Sequence, residues 1–207
     1  MAERDGRVAG FGATLRVGGA TMLTDLFVDP AGHGGGAGGA LLRELGPVAF
    51  TFASQDPRAL ALYARAGLTP WWPLLYLHGG PDRLPRPAFA VTGCPPAEAA
   101  RVEARLTGVH REFLAGEGLV VRGAGGEPVA AGAGRLDHLA CPDPAAAAGA
   151  LVAALHAVGE AELCVPGPHP AVPVLLGAGY RITGFDVYMA TRPDVLATTW
   201  VYSPGLA

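Results

Sequence analysis

Two stretches of this chain repeat one another at a fixed offset of 112 residues. Pro30 falls on Pro142, and Ala66-Gly67-Leu68 falls on Ala178-Gly179-Tyr180. The same shift lays the helix that opens in the glycine run on Gly149 to Val158, and the strand run that begins at Val48 on Glu160 to Val165. Order and spacing recur together, which is the mark of one supersecondary scheme used twice. At 207 residues, half of them apolar, the chain can bury a core in one large domain or in two smaller ones. The repeat favours two. Residues 1–80 form the first half, and 88–207 the second. Between them, 81–87 carries three prolines and reads as a linker.

Within the first half, Arg7 to Val17 and Ala20 to Val28 read as strands of an antiparallel hairpin around Gly18-Gly19. Asp29-Pro30 ends the second strand. Gly34 to Gly39, reading Gly-Gly-Gly-Ala-Gly-Gly, then opens a short helix that stops near Gly46-Pro47. Val48 to Ser54 reads as a buried strand, Pro57 to Ala66 as a helix closed by Gly67, and Trp71 to His78 as another strand. The second half has a front end of its own, a strand at Ala88 to Val91 and an amphipathic helix at Ala97 to Phe113. The first half begins directly with its hairpin.

Composition removes several function classes. All 15 basic residues are Arg, the net charge is −3, and no basic run offers a nucleic-acid footprint. The longest apolar stretch, Ala145 to Val158, contains His156 and is shorter than the ~20 residues of a spanning helix. No apolar core follows the charged N-terminus, so a secretory signal is not expected and the expected compartment is the cytoplasm. Cys94, Cys141 and Cys164 lie far apart and are odd in number, which suits neither a disulfide framework nor a zinc site. No metal is expected.

Glycines between a strand and a helix let backbone N–H groups reach an anion, and the helix N-terminus adds a favourable dipole. A phosphate cradle is the functional reading of Gly34 to Gly39, and a plain loop in a glycine-rich chain is the bland one. A nucleoside-triphosphate loop requires a lysine, and the chain has none. Gly34, Gly36 and Gly39 satisfy the dinucleotide spacing, with Asp56 placed as a ribose-binding acid would be. Against that reading, five residues separate the glycines from a strand that belongs to a hairpin. A dinucleotide-binding oxidoreductase stays as a distant alternative.

A third reading comes from resemblance. The segment Leu26 to Leu42, with Val28-Asp29-Pro30, His33, Gly36, Gly38 and Ala40-Leu41-Leu42, resembles the acyl-CoA motif of the GNAT N-acetyltransferase superfamily. His33 stands where that motif carries Arg or Gln. A second signature follows in order. Asp56-Pro57-Arg58-Ala59 through Leu62-Tyr63 to Gly67-Leu68 is similar to the family's Asn-x-x-Ala-x-x-Leu-Tyr-x-x-x-Gly-Phe, with Asp for Asn and Leu for Phe. The resemblance implies an α+β fold of two GNAT-like halves. Each would hold a mixed, mostly antiparallel sheet with flanking helices and a central parallel strand–helix–strand unit. It also implies a strand and two helices ahead of the hairpin, absent after Met1: either the chain is a natural short form, its true start lies upstream, or the helix Ala97 to Phe113 substitutes.

The same resemblance assigns roles. Met22 to Val28 and Val48 to Ser54 would splay apart. The freed edge at Leu26, Phe27 and Val28 would pair with the pantetheine arm of acetyl-CoA, the co-substrate. His33, Gly34, Gly35, Gly36, Ala37, Gly38 and Gly39 would hold the pyrophosphate, with Asp56 and Tyr63 completing the cofactor side. Tyr63 would protonate the leaving thiolate, since a phenol near pKa 10 is matched closely enough to a thiol near 8.5. Asp25 is the candidate base, acting through water. The expected acceptor is a small-molecule amine, with self-association into a homodimer allowed. A non-catalytic acyl-CoA-binding regulator is the alternative. At the offset of 112, Gly36 and Gly38 become Ala148 and Ala150, and Tyr63 becomes Leu175. The second half is therefore read as degenerate.

Overall fold

A computed structural model of the chain describes residues 1–4, 6–110 and 116–204. It divides into two compact units, Met1–Trp72 with Asp186–Leu196, and Pro73–Phe185 with Ala197–Ala207. The architecture is mixed α+β.

In the first unit the expected hairpin is present as β2 (Arg7–Val17) and β3 (Ala20–Val28), and a short β1 (Ala2–Arg4) adds to it antiparallel. The helix α1 (Ala37–Leu45) starts inside the glycine run, because Gly36 takes the left-handed conformation at the N-cap. Its buried face is Leu41 and Leu42, and Gly46 stops it. β4 (Phe50–Ala53) is shorter than the apolar run that announced it. Asp56 caps α2 (Pro57–Arg65) by accepting from the Arg58 amide at 2.8 Å. Then β5 (Thr69–Gly79) leaves for the other unit partway along its length.

β3 and β4 are parallel neighbours over only two residue pairs, Met22 with Phe50 and Leu23 with Thr51. The cause lies one residue further on. Ala13 of β2 opposes Asp25 and Thr14 opposes Leu23, which leaves Thr24 as an extra residue on β3. A bulge bends its strand and ends regular pairing. Thr51, almost wholly buried, closes the hinge by donating its hydroxyl to the Leu23 carbonyl at 2.9 Å. Beyond that point Leu26, Phe27 and Val28 pair with β2 on one edge and have no β4 partner on the other.

The second unit is built around α4 (Pro144–Val158). This helix begins five residues before the expected Gly149, because Asp143 caps it by accepting from the Ala145 amide at 2.9 Å and Pro144 suits the first turn. Small residues allow it to be buried all round. It shares one core with Leu75 and Leu77 of β5 and with Leu163 and Val165 of β10 (Ala161–Pro166). The same core includes Leu119, Val121 and Ala130 of a four-stranded sheet that α4 contacts. That sheet runs β6 (Ala90–Cys94), β7 (Gly118–Arg122), β8 (Pro128–Ala133) and β9 (Leu139–Ala140).

The expected strand at Ala88–Val91 lies two residues later, as β6. The expected helix Ala97–Phe113 is α3 (Pro96–Thr107), ended by Gly108 at φ 73°. Residues 111–113 of that expectation lie outside the described residues. Helix α3 packs on β7 and β8 with Val102 against Val120 and Ala131, so it belongs to the second unit. The proline-rich stretch after β5 holds a single 3-10 turn at Pro81–Arg83, and it buries Leu84.

The repeat hides one exchange. In the first unit the sheet order is β1-β2-β3-β4-β11, where β11 (Arg181–Ala190) is the last strand of the second copy. Its Val187 to Ala190 run antiparallel to Ala53 to Phe50. In the second unit, β10 pairs antiparallel with β5, the last strand of the first copy, from Ala161 opposite Gly79 to Pro166 opposite Leu74. Each half therefore lends its closing strand to the other. Copies α2 and α5 (Val172–Gly177) precede these lent strands.

Candidate functional site

The glycine loop is shaped by two residues that only glycine tolerates well, Gly34 and Gly36, each at φ 82°. The first α-helical bond of α1 runs from the Ala40 amide to the Gly36 carbonyl at 3.0 Å. The amides of Ala37, Gly38 and Gly39 come before it and have no partner within the helix. A Cβ on Gly39 would meet nothing within 4 Å, so the first turn is open at that position. A Cβ on Gly38 would lie 3.0 Å from Leu62 of α2 and 3.7 Å from Val28. That close approach gathers the end of β3, the loop and α2 in one place. An anion with several oxygens would find unpaired N–H groups and a helix dipole here.

His33 takes a more definite position than its sequence assigned. Arg58 Nη1 donates to His33 Nδ1 at 3.0 Å, and a guanidinium has no acceptor to offer. Nδ1 must therefore accept, so Nε2 carries the proton and donates to the Val28 carbonyl at 3.0 Å. Arg58 is held in turn by Asp56, with Nη2 at 2.7 Å from the carboxylate. The Arg58 side chain and amide both hydrogen-bond Asp56 and hold its carboxyl down at about 2. Asp56, Arg58, His33 and Val28 form one chain of contacts from helix cap to strand edge. Nothing in the sequence alone gives Arg58 a role. Its signal, a cation two residues past an acidic cap, is common at helix starts and singles out nothing.

Tyr63 is buried on the helix side of the sheet, in a cluster with Leu23, Leu42, Ala53, Leu68 and Met189. Desolvation raises its pKa above the ordinary phenol value. Its hydroxyl makes no hydrogen bond to another described residue. Leu26 packs against the same cluster. Strand alternation then puts Asp25 and Phe27 on the opposite face. Phe27, 58% exposed, lies with its ring 5.1 Å from that of Phe11, which faces it across the hairpin. The structure thus brings Leu26, Val28, the glycine loop, His33 and Asp56 to the same end of the unit as α2. Asp25 and Tyr63 it sets on two faces of one sheet.

The opposite face near β4 carries an aromatic group of Phe52, Trp72 and Tyr188, the last two stacked at 4.1 Å. His78, His138, His156 and His169 have structural partners. His169 accepts from the Ala171 amide and donates to the Thr199 carbonyl, each at 3.0 Å. His138 meets the wholly buried Glu103 at 2.9 Å. A cavity of about 310 Å³ lies in the second unit between Tyr76, Asp137, Glu162 and Tyr202. Among the described residues no cluster could hold a metal ion, and no helix is long and apolar enough to cross a membrane.

No protein-family model and no curated protein matches the chain. Solved structures do. A Pyrococcus horikoshii protein assigned as an acetyltransferase aligns over 96% of this chain and 75% of its own, at TM-score 0.61 and 14% identity. A GCN5-related N-acetyltransferase from Sphaerobacter thermophilus aligns over 94% and 80%, at 0.52 and 18%. A tandem GNAT protein from the clavulanic acid biosynthesis pathway aligns over 92% and 82%, at 0.54 and 16%. With the splayed β3 and β4, the glycine-started α1 and the capped α2 in the order both motifs require, the fold of this chain is that of the GCN5-related N-acetyltransferase superfamily.

Proposed function

We propose that the protein is an acetyl-CoA-dependent N-acetyltransferase acting on a small-molecule amine by direct transfer. The observation that carries this reading is the opened edge of β3 beyond the Thr24 bulge, lying beside unpaired helix amides. An extended, amide-rich arm can add to such an edge as a strand does. The pyrophosphate at the end of that arm suits the amides of Ala37, Gly38 and Gly39. Arg58 supplies the nearby cation.

The chemistry asked of the chain is modest. The amine nitrogen forms a bond to the thioester carbonyl carbon, and the carbon–sulfur bond then breaks. Tyr63 gives its phenolic proton to the departing sulfur. Burial raises its pKa, so the phenol is protonated at neutral pH and can serve as the acid. The amine loses one proton on becoming an amide. Asp25 takes it up through water from the other face of the edge, and the phenolate is reprotonated from solvent. Acetyl group, thiol and protons balance without another reactant.

A thermal melt with acetyl-CoA beside ATP and NADH tests the reading. Ligand at 100 times its dissociation constant should add about 2.7 kcal/mol, roughly 5–10 °C for a chain of this size. A shift with acetyl-CoA alone, followed by turnover in an amine panel, supports it. Binding without turnover assigns an acyl-CoA-binding regulator instead. A shift with NADH alone would reinstate the dinucleotide reading.

A further inference from the structure

In the second half the equivalents of the opened edge are Leu139 and Ala140 of β9, at the offset of 112 from Phe27 and Val28. The facing position on β10 is Cys164, the equivalent of Phe52. This space is filled by the chain's own C-terminal segment. The Val201 amide donates to the Leu139 carbonyl at 2.9 Å, and the Leu139 amide donates back at 3.4 Å. One residue on, the Tyr202 amide donates to the Cys164 carbonyl at 3.0 Å. Both bridges are antiparallel, so the segment lies as a two-residue strand bonded to both walls.

The segment is held from outside as well. Thr199 donates its hydroxyl to the Cys141 carbonyl at 2.7 Å, and His169 donates to the Thr199 carbonyl. The Tyr202 hydroxyl reaches back to the Ala197 carbonyl at 2.7 Å, and Trp200 stacks on the Tyr202 ring. Val201 is wholly buried and Tyr202 almost so. An edge opened in the core must find partners for its N–H and C=O groups. In the second half the phosphate end of the groove is gone, since Ala148 and Ala150 replace Gly36 and Gly38 within α4. Only the strand-pairing end remains.

We propose that Val201–Tyr202 is the resident occupant of the second half's groove, so that each chain carries one acyl-CoA site, in the first unit. The count of sites rests on the reading of the first groove as a pantetheine slot. The occupant itself does not.

Hydrogen exchange on the full chain tests both. Without ligand, the amides of Val201 and Tyr202 exchange in the same slow class as those of Leu163 and Val165. Fast exchange there overturns the occupant. Titration with acetyl-CoA then gives one site per chain, with slowed exchange over 26–39 and no change at 139–141 or 199–202. Two sites, or faster exchange at Val201 on adding acetyl-CoA or free pantetheine, overturns the proposal. Absence of any acetyl-CoA binding overturns the functional reading alone, because the ligand-free exchange decides the occupant.

Discussion

Replacing Gly39 with Ala separates a working cradle from a glycine-rich loop. Gly39 is the third residue of α1, has no positive φ, and faces open space where a Cβ would stand. In the unliganded protein the substitution therefore meets no obstacle. It relieves the backbone entropy of a helical glycine, worth roughly 0.5–1 kcal/mol. At roughly 2–4 °C per kcal/mol for a chain of this length, the melting temperature should rise by about 1–4 °C. The same methyl group is added in the turn whose amides have no partner in the helix. If pyrophosphate oxygens come to them, one charge-assisted hydrogen bond is lost or lengthened, about 1.5–3 kcal/mol. Acetyl-CoA should then bind roughly 10- to 150-fold more weakly. Differential scanning fluorimetry gives the first quantity and isothermal titration calorimetry the second. A variant that is more stable and binds acetyl-CoA as tightly as the parent would refute the cradle. Gly36→Ala is the control with the opposite first sign. Its φ of 82° imposes left-handed strain of roughly 1–2 kcal/mol, so it should melt lower.

Tyr63→Phe keeps the ring in its cluster and removes only the acid. Turnover should fall by roughly 10²- to 10⁴-fold with acetyl-CoA affinity unchanged, and an unaltered kcat would remove the assignment. His169 makes stability depend on pH. Burial lowers its pKa to about 4, against 6.5 when unfolded, and its Nδ1 must stay unprotonated to accept from the Ala171 amide. The unfolded chain therefore binds the proton first. The stabilisation is whole above pH 6.5 and drains away as pH falls through 4, a loss on the order of 3 kcal/mol. Denaturant melts between pH 7 and 4 should show this slope, and His169→Asn should flatten it.

What was legible in the sequence was local. Glycine at a strand–helix joint, Asp before Pro57, and apolar runs of strand length each name their structure through backbone chemistry that needs no distant partner. The bounds failed where a distant partner or a single cap decided them. Gly108 cut α3 at Thr107, and Asp143 with Pro144 started α4 early within a run of alanines that has no periodicity to read. In the site, His33 was visible as a departure from a motif, but its bond to Arg58 joins residues 25 apart and leaves no pattern. The opened edge of β3 follows from a bulge at Thr24, and no residue there is a glycine or proline that would have announced it.

The strand exchange is the clearest case of a feature that a repeat conceals, because identical spacing says nothing about which copy pairs with which. It also carries a consequence for how the halves fold. Residues 1–80 alone would lack Val187 to Ala190, including Tyr188 and Met189, which are almost wholly buried against β4 and the Tyr63 cluster. Residues 81–207 alone would lack Leu74, Leu75 and Leu77, three core side chains of the β5–β10 pair. Leaving one large core residue out costs about 2–5 kcal/mol, and whole domains are held by only about 5–15. Neither fragment should fold by itself, although the sequence alone would mark 81–87 as a natural place to cut. Produced together, the two fragments should assemble, since every exchanged strand is then present. Circular dichroism and melting of the separate and mixed fragments decide the point. A fragment 1–80 that melts cooperatively in isolation would mean that β4 closes its sheet without β11, and the exchange would then be dispensable to the first unit.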